Sequence, residues 1–390
     1  MGVEVIMMEE IKALLYLIAC ALNRVVPDEK IYGDAEPASV YRIAQNHSVV
    51  SLAASALEKN DYKGIDPEAK ACFDKGKFNA IYRDMLFEAE RKEIFSFFND
   101  EKIRYLPLKG IVLRDLYPEY GIREMSDNDI LYDIAGRRKL KDFMTGRGYT
   151  PKEVGTEVRD CYLKDNVLYF EMHTALYSVA VRNGRYADYY ARIWDMAVPD
   201  TKDGSVYHLR DEDLYVYILS HAEKHYRFAG TGIRTLADIF VLNKAFPEAD
   251  RIYIRNELDK LDLAGFEERM RIIADRLLSD PDDYRDGFPA LTEEERRELE
   301  YLISSKTYGT IENVVKNRMR QYDTRLDTKG SRFRYYLKRL FPKREELLHD
   351  YLLAKYWPLL PLVWVYRIVK GLTTKRSTIA AELRIIGKQK

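Results

Sequence analysis

Two aspartates one residue apart, Asp127 and Asp129, open an otherwise apolar run through Ile130, Leu131 and Tyr132 that reads as a buried strand. Alternate residues of a strand point the same way, so both carboxylates come onto one face. Burying two like charges side by side is costly unless a cation lies between them. A divalent metal ion meets that requirement. For an Asp-x-Asp taken alone, the simpler reading is that Asp127 caps the strand and Asp129 pairs with Arg123. The flanking segments shift the balance toward a metal site.

Upstream, residues 103–108 read as a strand that runs into a turn at Lys109-Gly110. Ile111, Val112, Leu113, Leu116 and Tyr117 then give a short helical face, which Pro118 and Gly121 end. A glycine at a helix entrance lets backbone approach a phosphate, the helix N-terminus offers free N–H groups, and Lys109 adds a mobile positive charge. Downstream, Glu171 and His173 share one face of another apparent strand, residues 168–173. Three carboxylates beside a phosphate turn can hold Mg²⁺ and a nucleoside triphosphate.

With these residues in place, the chain resembles the nucleotidyltransferases of the DNA polymerase beta superfamily. The likeness is greater to a bacterial branch with a Lys-Gly turn, an Arg-x-Met-x-Asp-x-Asp strand and a later Glu-x-His. The matching positions are Lys109-Gly110, Arg123 to Asp129, and Glu171 to His173. Lys109-Gly110 stands where the superfamily usually has Gly-Ser or Gly-Gly. The resemblance continues through His221, His225, Arg234 and Asp238, and it implies that these four line the cleft opposite the carboxylates and touch phosphate, ribose or base. Asp238 read from the sequence alone is equally a helix residue paired with Arg234.

The resemblance implies a transferase that moves a nucleoside monophosphate from a triphosphate onto an acceptor and releases pyrophosphate. Asp127, Asp129 and Glu171 are then the catalytic, metal-binding acids, with Mg²⁺ as cofactor, two ions expected and Mn²⁺ as a substitute. Two ions about 3.5–4 Å apart neutralise charge on the attacking and leaving oxygens. Lys109 and Gly110 are assigned to phosphate, Arg123 to the triphosphate or to neutralising the acid cluster, and His173 to a supporting place behind Glu171. Gamma-phosphate or pyrophosphate transfer on the same site is the alternative within enzymology, and a non-catalytic nucleotide-binding or interaction protein is the alternative outside it. The acceptor is open among small molecules, peptides or proteins, and tRNA.

Other patterns carry less. His221 and His225 face one side of a helix, a spacing that suits zinc, but Glu223 is not where a zinc protease needs its glutamate. Gly230-Thr-Gly232 lies between two helical stretches and lacks the preceding strand of a dinucleotide loop. Asp127-Asn-Asp129 starts like a calcium loop, yet Leu131 and Tyr132 stand where an oxygen ligand and a glycine are needed.

The 390 residues are 46% apolar and 32% charged, enough for a large core divided into lobes. The expected fold is α+β, mostly α overall: a small mixed sheet flanked by helices, with a helical lobe at 1–100, the nucleotidyltransferase core at 101–210 and a second helical lobe at 211–390. The 63 basic and 63 acidic residues cancel, which gives no support to a DNA partner. Cys20, Cys72 and Cys161 are odd in number and widely spaced, as in buried thiols of a reducing compartment, so a cytoplasmic location is expected. The apolar run at 13–22 is preceded by acids and is too short to span a bilayer, so it reads as a core helix. The run at 356–366, followed by Arg367, Lys370, Lys375 and Arg376, reads as core or interlobe packing, with peripheral membrane contact through 356–376, or a bound partner, as the minority reading.

Overall fold

The computed structural model describes residues 2–384 apart from 180, 201–203, 308, 323–328, 348–350, 375, 377, 378, 381 and 383. Lys375 therefore lies outside the described residues. Five strands form one mixed sheet in the order β1-β2-β5-β4-β3. They are β1 (Tyr105–Pro107), β2 (Asn128–Tyr132), β3 (Thr150–Glu153), β4 (Arg159–Lys164) and β5 (Leu168–His173). A two-stranded ribbon, Val198–Pro199 with Tyr207–His208, adds a small second sheet. Helices make up the rest of the regular structure, so the protein is α+β and mostly helical.

Strand alternation divides the sheet cleanly. Ile130, Tyr132, Phe170 and Met172 point to one face, where they pack with Phe87, Ile94 and Phe98 of the Pro67–Asp100 helix and with Leu140 and Met144 of the Arg137–Gly146 helix. Asp129 and Leu131 of β2, with Glu171 and His173 of β5, take the opposite face. The central strands are fully or nearly fully buried, whereas the outer strand β3 is exposed along its whole length and carries Pro151, Lys152 and Glu153. Proline and charge on an open edge discourage pairing with another chain.

The long Pro67–Asp100 helix starts where its sequence says it should. Asp66 accepts hydrogen bonds from the Glu68 and Ala69 amides, and Pro67 occupies the first turn, where its missing N–H costs nothing. The Asp211–Phe228 helix starts differently. Its acidic opening residues make no side-chain cap, and the cap position belongs to Arg210. Asp211, Glu212 and Asp213 instead occupy the first turn, where negative charge complements the helix dipole.

A second, larger apolar core runs from the first helix, through Leu106, Leu108 and Leu131 of the sheet region, to Leu299 and Leu302. It holds residues 13–22, the run read as a core helix, together with the Arg234–Ala245 and Ala264–Leu278 helices. Cys20 and Cys161 are buried and Cys72 is half-buried, all three as free thiols. No helix among the described residues is long and apolar enough to cross a membrane. The segment read as interlobe packing divides: Leu360 and Val363 are buried with Leu347 and Ala354, while Tyr356, Trp357, Leu362, Val365 and Tyr366 are exposed.

Candidate active site

β2 and β5 run parallel with Asp129 opposite Glu171 and Leu131 opposite His173. This register sets the acids of two strands, 42 residues apart in sequence, side by side. Ligand atoms of Asp129, Glu171 and His173 all lie within 4.8 Å of one another. His173 Nε2 is 2.8 Å from Asp129 Oδ1 and 3.5 Å from Glu171 Oε2. Its Nδ1 is buried without a hydrogen-bond partner.

Asp127 precedes β2 and stands outside that group of three. Ser126 Oγ donates to it at 3.0 Å. Burial, then the neighbouring Asp129 charge, push its carboxyl above the usual range, with Lys109 opposing. Asp129 behaves in the other direction. Burial opposes its charge, but the Lys109 ammonium and His173 outweigh burial and hold its carboxyl below the usual range. Lys109 Nζ lies 2.6 Å from Asp129 Oδ1, and Glu171 and Asp127 add to the negative charge around it.

The turn that presents Lys109 is not the one its sequence suggests. The lysine, and not the glycine, takes the positive φ, at 47° with ψ −117°, and the Ile111 amide donates to the Leu108 carbonyl across the turn. These are the angles and hydrogen bond of a type II′ turn whose first central residue is normally glycine. A lysine held there stores backbone strain on the order of 1–3 kcal/mol. Gly110 is needed for space: a Cβ there would sit 2.8 Å from Met125 Sδ and 2.9 Å from an Arg123 guanidinium nitrogen. The following helix, Gly110–Leu113, is a single turn before a 3-10 segment, shorter than the apolar spacing through Tyr117 suggests.

Below the acids, the residue between the two aspartates is pinned from the opposite face. Arg91 of the Pro67–Asp100 helix donates to Asn128 Oδ1 at 2.7 Å and lies 3.4 Å from Asp84, which Arg114 also contacts at 2.7 Å. Arg91, Asp84 and Asn128 are all buried.

Facing the acids across a cleft are the Asp211–Phe228 and Arg234–Ala245 helices. Lys109, Gly110, Arg123, Asp127, Asp129, Glu171, His221, His225, Arg234 and Asp238 all line this cleft, and His173 lies behind its wall. The His221 and His225 rings meet edge to face, with centroids 4.5 Å apart. Burial, followed by the positive charges of Lys109 and Lys224, pushes the His221 imidazole well below its ordinary range. His225 falls to about 3 through burial and Lys224. Both rings are neutral near pH 7. Glu223 turns away from them into the core, where Tyr186 Oη donates to it at 2.7 Å.

Two pairings read from the sequence resolve differently. Arg123 does not bond Asp129; its Nε and Nη2 grip both oxygens of Asp238, at 2.7 and 3.0 Å. Tyr117 Oη adds a third bond to Asp238, at 2.7 Å. Asp238 is thus paired with Arg123, not Arg234, and Arg234 instead donates to the Glu124 carbonyl at 3.3 Å. The Gly230-Thr-Gly232 loop joins the two helices, as expected, but Thr231 and Gly232 also line the cleft.

Residues 33–279 match the model of a family described as uncharacterised nucleotidyltransferase, a span that contains every residue of the cleft named so far. The chain belongs to that nucleotidyltransferase family. Comparison with curated proteins and with solved structures returns no match.

Two cleft residues of this nucleotidyltransferase escaped the sequence reading. Arg159, on β4, donates to Glu171 Oε2 at 2.7 Å and fixes the third acid from its other side. Lys224 lines the cleft with no hydrogen bond or ion pair among the described residues, its nitrogen 5.7 Å from the Tyr177 ring. Burial, then repulsion from Lys109, lowers its ammonium to about 8. Helical spacing, three residues on, places Lys224 beside His221, a signal that was available. Arg159 has no such local signal, because only the antiparallel β4–β5 register brings it to Glu171.

Proposed function

We propose that the cleft transfers a nucleoside monophosphate from a triphosphate to an acceptor hydroxyl or phosphate and releases pyrophosphate, with Asp127, Asp129 and Glu171 holding Mg²⁺. The observation that carries this reading is the convergence of these acids, Asp127 at the entrance to β2 and Asp129 and Glu171 on the paired strands β2 and β5, on a cleft whose far wall supplies His221, His225, Lys224 and Arg234. The donor set supports the ion: Asp129, Glu171 and His173 bring ligand atoms within 4.8 Å of one another, Asp127 lies beside them, and carboxylate oxygens suit magnesium or manganese, which would share the neutralisation of Asp129 with Lys109. When bound, magnesium would supply neutralisation of phosphate oxygens and a more acidic attacking hydroxyl.

The chain's own groups divide the remaining work. The acceptor oxygen forms its bond to the alpha phosphorus as the bond to the pyrophosphate oxygen breaks. Glu171, held between Arg159 and His173, receives the acceptor's proton. Lys109 and Lys224 meet the triphosphate oxygens, Lys224 as a cation paired with no carboxylate among the described residues. His221 and His225, being neutral, offer a hydrogen bond to ribose or base and no charge to phosphate. Arg123, locked to Asp238, shapes the wall and adds its field.

Incubating the protein with alpha-labelled and gamma-labelled ATP and candidate acceptors tests the reading. Alpha label on the acceptor with release of pyrophosphate is the expected result. Gamma label alone on the acceptor would mean phosphoryl transfer. Unchanged pyrophosphate release in a folded variant carrying Asp127→Asn and Asp129→Asn would remove the acids from the chemistry altogether.

A further inference from the structure

Outside the cleft, the C-terminal segment combines two properties that the rest of the chain lacks. Residues 329–390 hold 15 of the 63 basic residues and 4 of the 63 acidic ones, so the neutral whole conceals a strongly positive end. The same region is unusually apolar on its surface. Of the 25 large apolar side chains exposed among the described residues, 11 lie between Phe333 and Val369.

The exposed apolar residues have helical order. In the Leu360–Thr374 helix, Leu362, Val365, Tyr366 and Val369 follow the i, i+3, i+4, i+7 spacing of one face, each more than half exposed. Leu360 and Val363 face the other way, into a small core with Leu347 and Ala354. Trp364 Nε1 ties that inner side to the Pro342 carbonyl at 3.1 Å. At the helix entrance Tyr356 and Trp357 are 63% and 71% exposed, and Leu353 is 55% exposed. Lys355 and Lys370 are exposed beside the apolar face, while Arg367 lies on the inner side and donates to the Arg339 carbonyl.

From this arrangement we infer that the Leu360–Thr374 helix and its Tyr356-Trp357 entrance dock the enzyme on an anionic lipid surface, lying in the plane of the interface. The helix is too short to span a bilayer, at about 1.5 Å per residue against a core about 30 Å thick. It has what an interfacial helix needs: an apolar face, tryptophan and tyrosine at its margin, and cations beside it for acidic headgroups. Charge complementarity selects an acidic surface. The aliphatic face selects lipid over nucleic acid, since phosphates and stacked bases would cover nothing of Leu362, Val365 or Val369. This inference does not depend on the reaction assigned to the cleft.

Co-sedimentation of the full-length protein with vesicles of mixed phosphatidylglycerol and phosphatidylcholine tests it, beside vesicles of phosphatidylcholine alone. Binding to the acidic vesicles is expected, with a blue shift of tryptophan emission that Trp357→Phe removes. Leu362→Asp with Val365→Asp, both at exposed positions, should weaken vesicle binding about tenfold or more while circular dichroism stays unchanged. Four outcomes would overturn the inference. These are no binding to acidic vesicles, equal binding of the double variant, binding by charge alone with no emission shift, and a lipid-independent dimer that the double variant dissolves.

Discussion

Asp129 is the residue on which the proposed chemistry converges, because Lys109 and His173 both bond its Oδ1 and Glu171 sits opposite it in register. Asp129→Ala is expected to lower pyrophosphate release by several orders of magnitude, since it removes a shared ligand and leaves Lys109 facing the remaining acids alone. His225→Ala should cost far less and act mainly on the apparent constant for nucleotide. Lys224 gives a pH signature of its own. Its folded-state value of about 8 lies below the ordinary 10.5, so between those values the unfolded chain binds the extra proton. Stability from this group therefore rises with pH across that window, while the cation available to a triphosphate is lost. We expect kcat/KM for nucleotide to fall above about pH 8, and Lys224→Arg, which keeps its charge, to extend the alkaline limb. An unshifted limb in that variant would remove Lys224 from the triphosphate.

Among elements, the pairing of β2 with the Pro67–Asp100 helix beneath it decides how firmly the acids are held. Asp84 is buried between Arg91 and Arg114, and Arg91 reaches on to Asn128 between the two aspartates. Asp84→Ala should cost about 3–5 kcal/mol in urea unfolding, because it strands buried guanidinium groups. Gly110→Ala should cost about 1–3 kcal/mol through its clash with Met125 and Arg123. A loss within measurement error in either variant would show that the neighbours relax freely. The strands of the acids were legible in sequence: β5 spans residues 168–173 as its alternation predicts, and β2 begins one residue after Asp127. The partners were less so. Local spacing cannot tell that Lys109 carries the strained turn, that Asp238 is gripped by Arg123, or that Arg159 braces Glu171. Each depends on segments brought together by strand register or by one helix packing against the sheet. Helix spacing did set His221 beside His225 and Arg234 beside Asp238, the family resemblance put all four in one cleft, and Lys224, three residues after His221, was open to the same spacing argument.

For the molecule as a whole, a ligand lodged between the sheet and the two facing helices binds both walls and therefore only the folded state. Magnesium with ATP at about 100 times its dissociation constant should add about 2.7 kcal/mol of stability. The unfolding temperature should rise accordingly, and the Asp127→Asn, Asp129→Asn variant should lose most of that rise; an equal rise in both proteins would place the nucleotide elsewhere. One feature of the packing also offers a practical handle. Burial pushes the Cys20 thiol up to about 12 and raises that of Cys161, whereas Cys72 is half-buried near the start of the long helix under the sheet. Thiolate is the reactive form, so a maleimide dye added to the native protein should attach at Cys72 and leave the other two sulfurs unmodified until denaturant is added. The unaltered chain thus comes with its own fluorescent attachment point, from which movement of that helix can be followed.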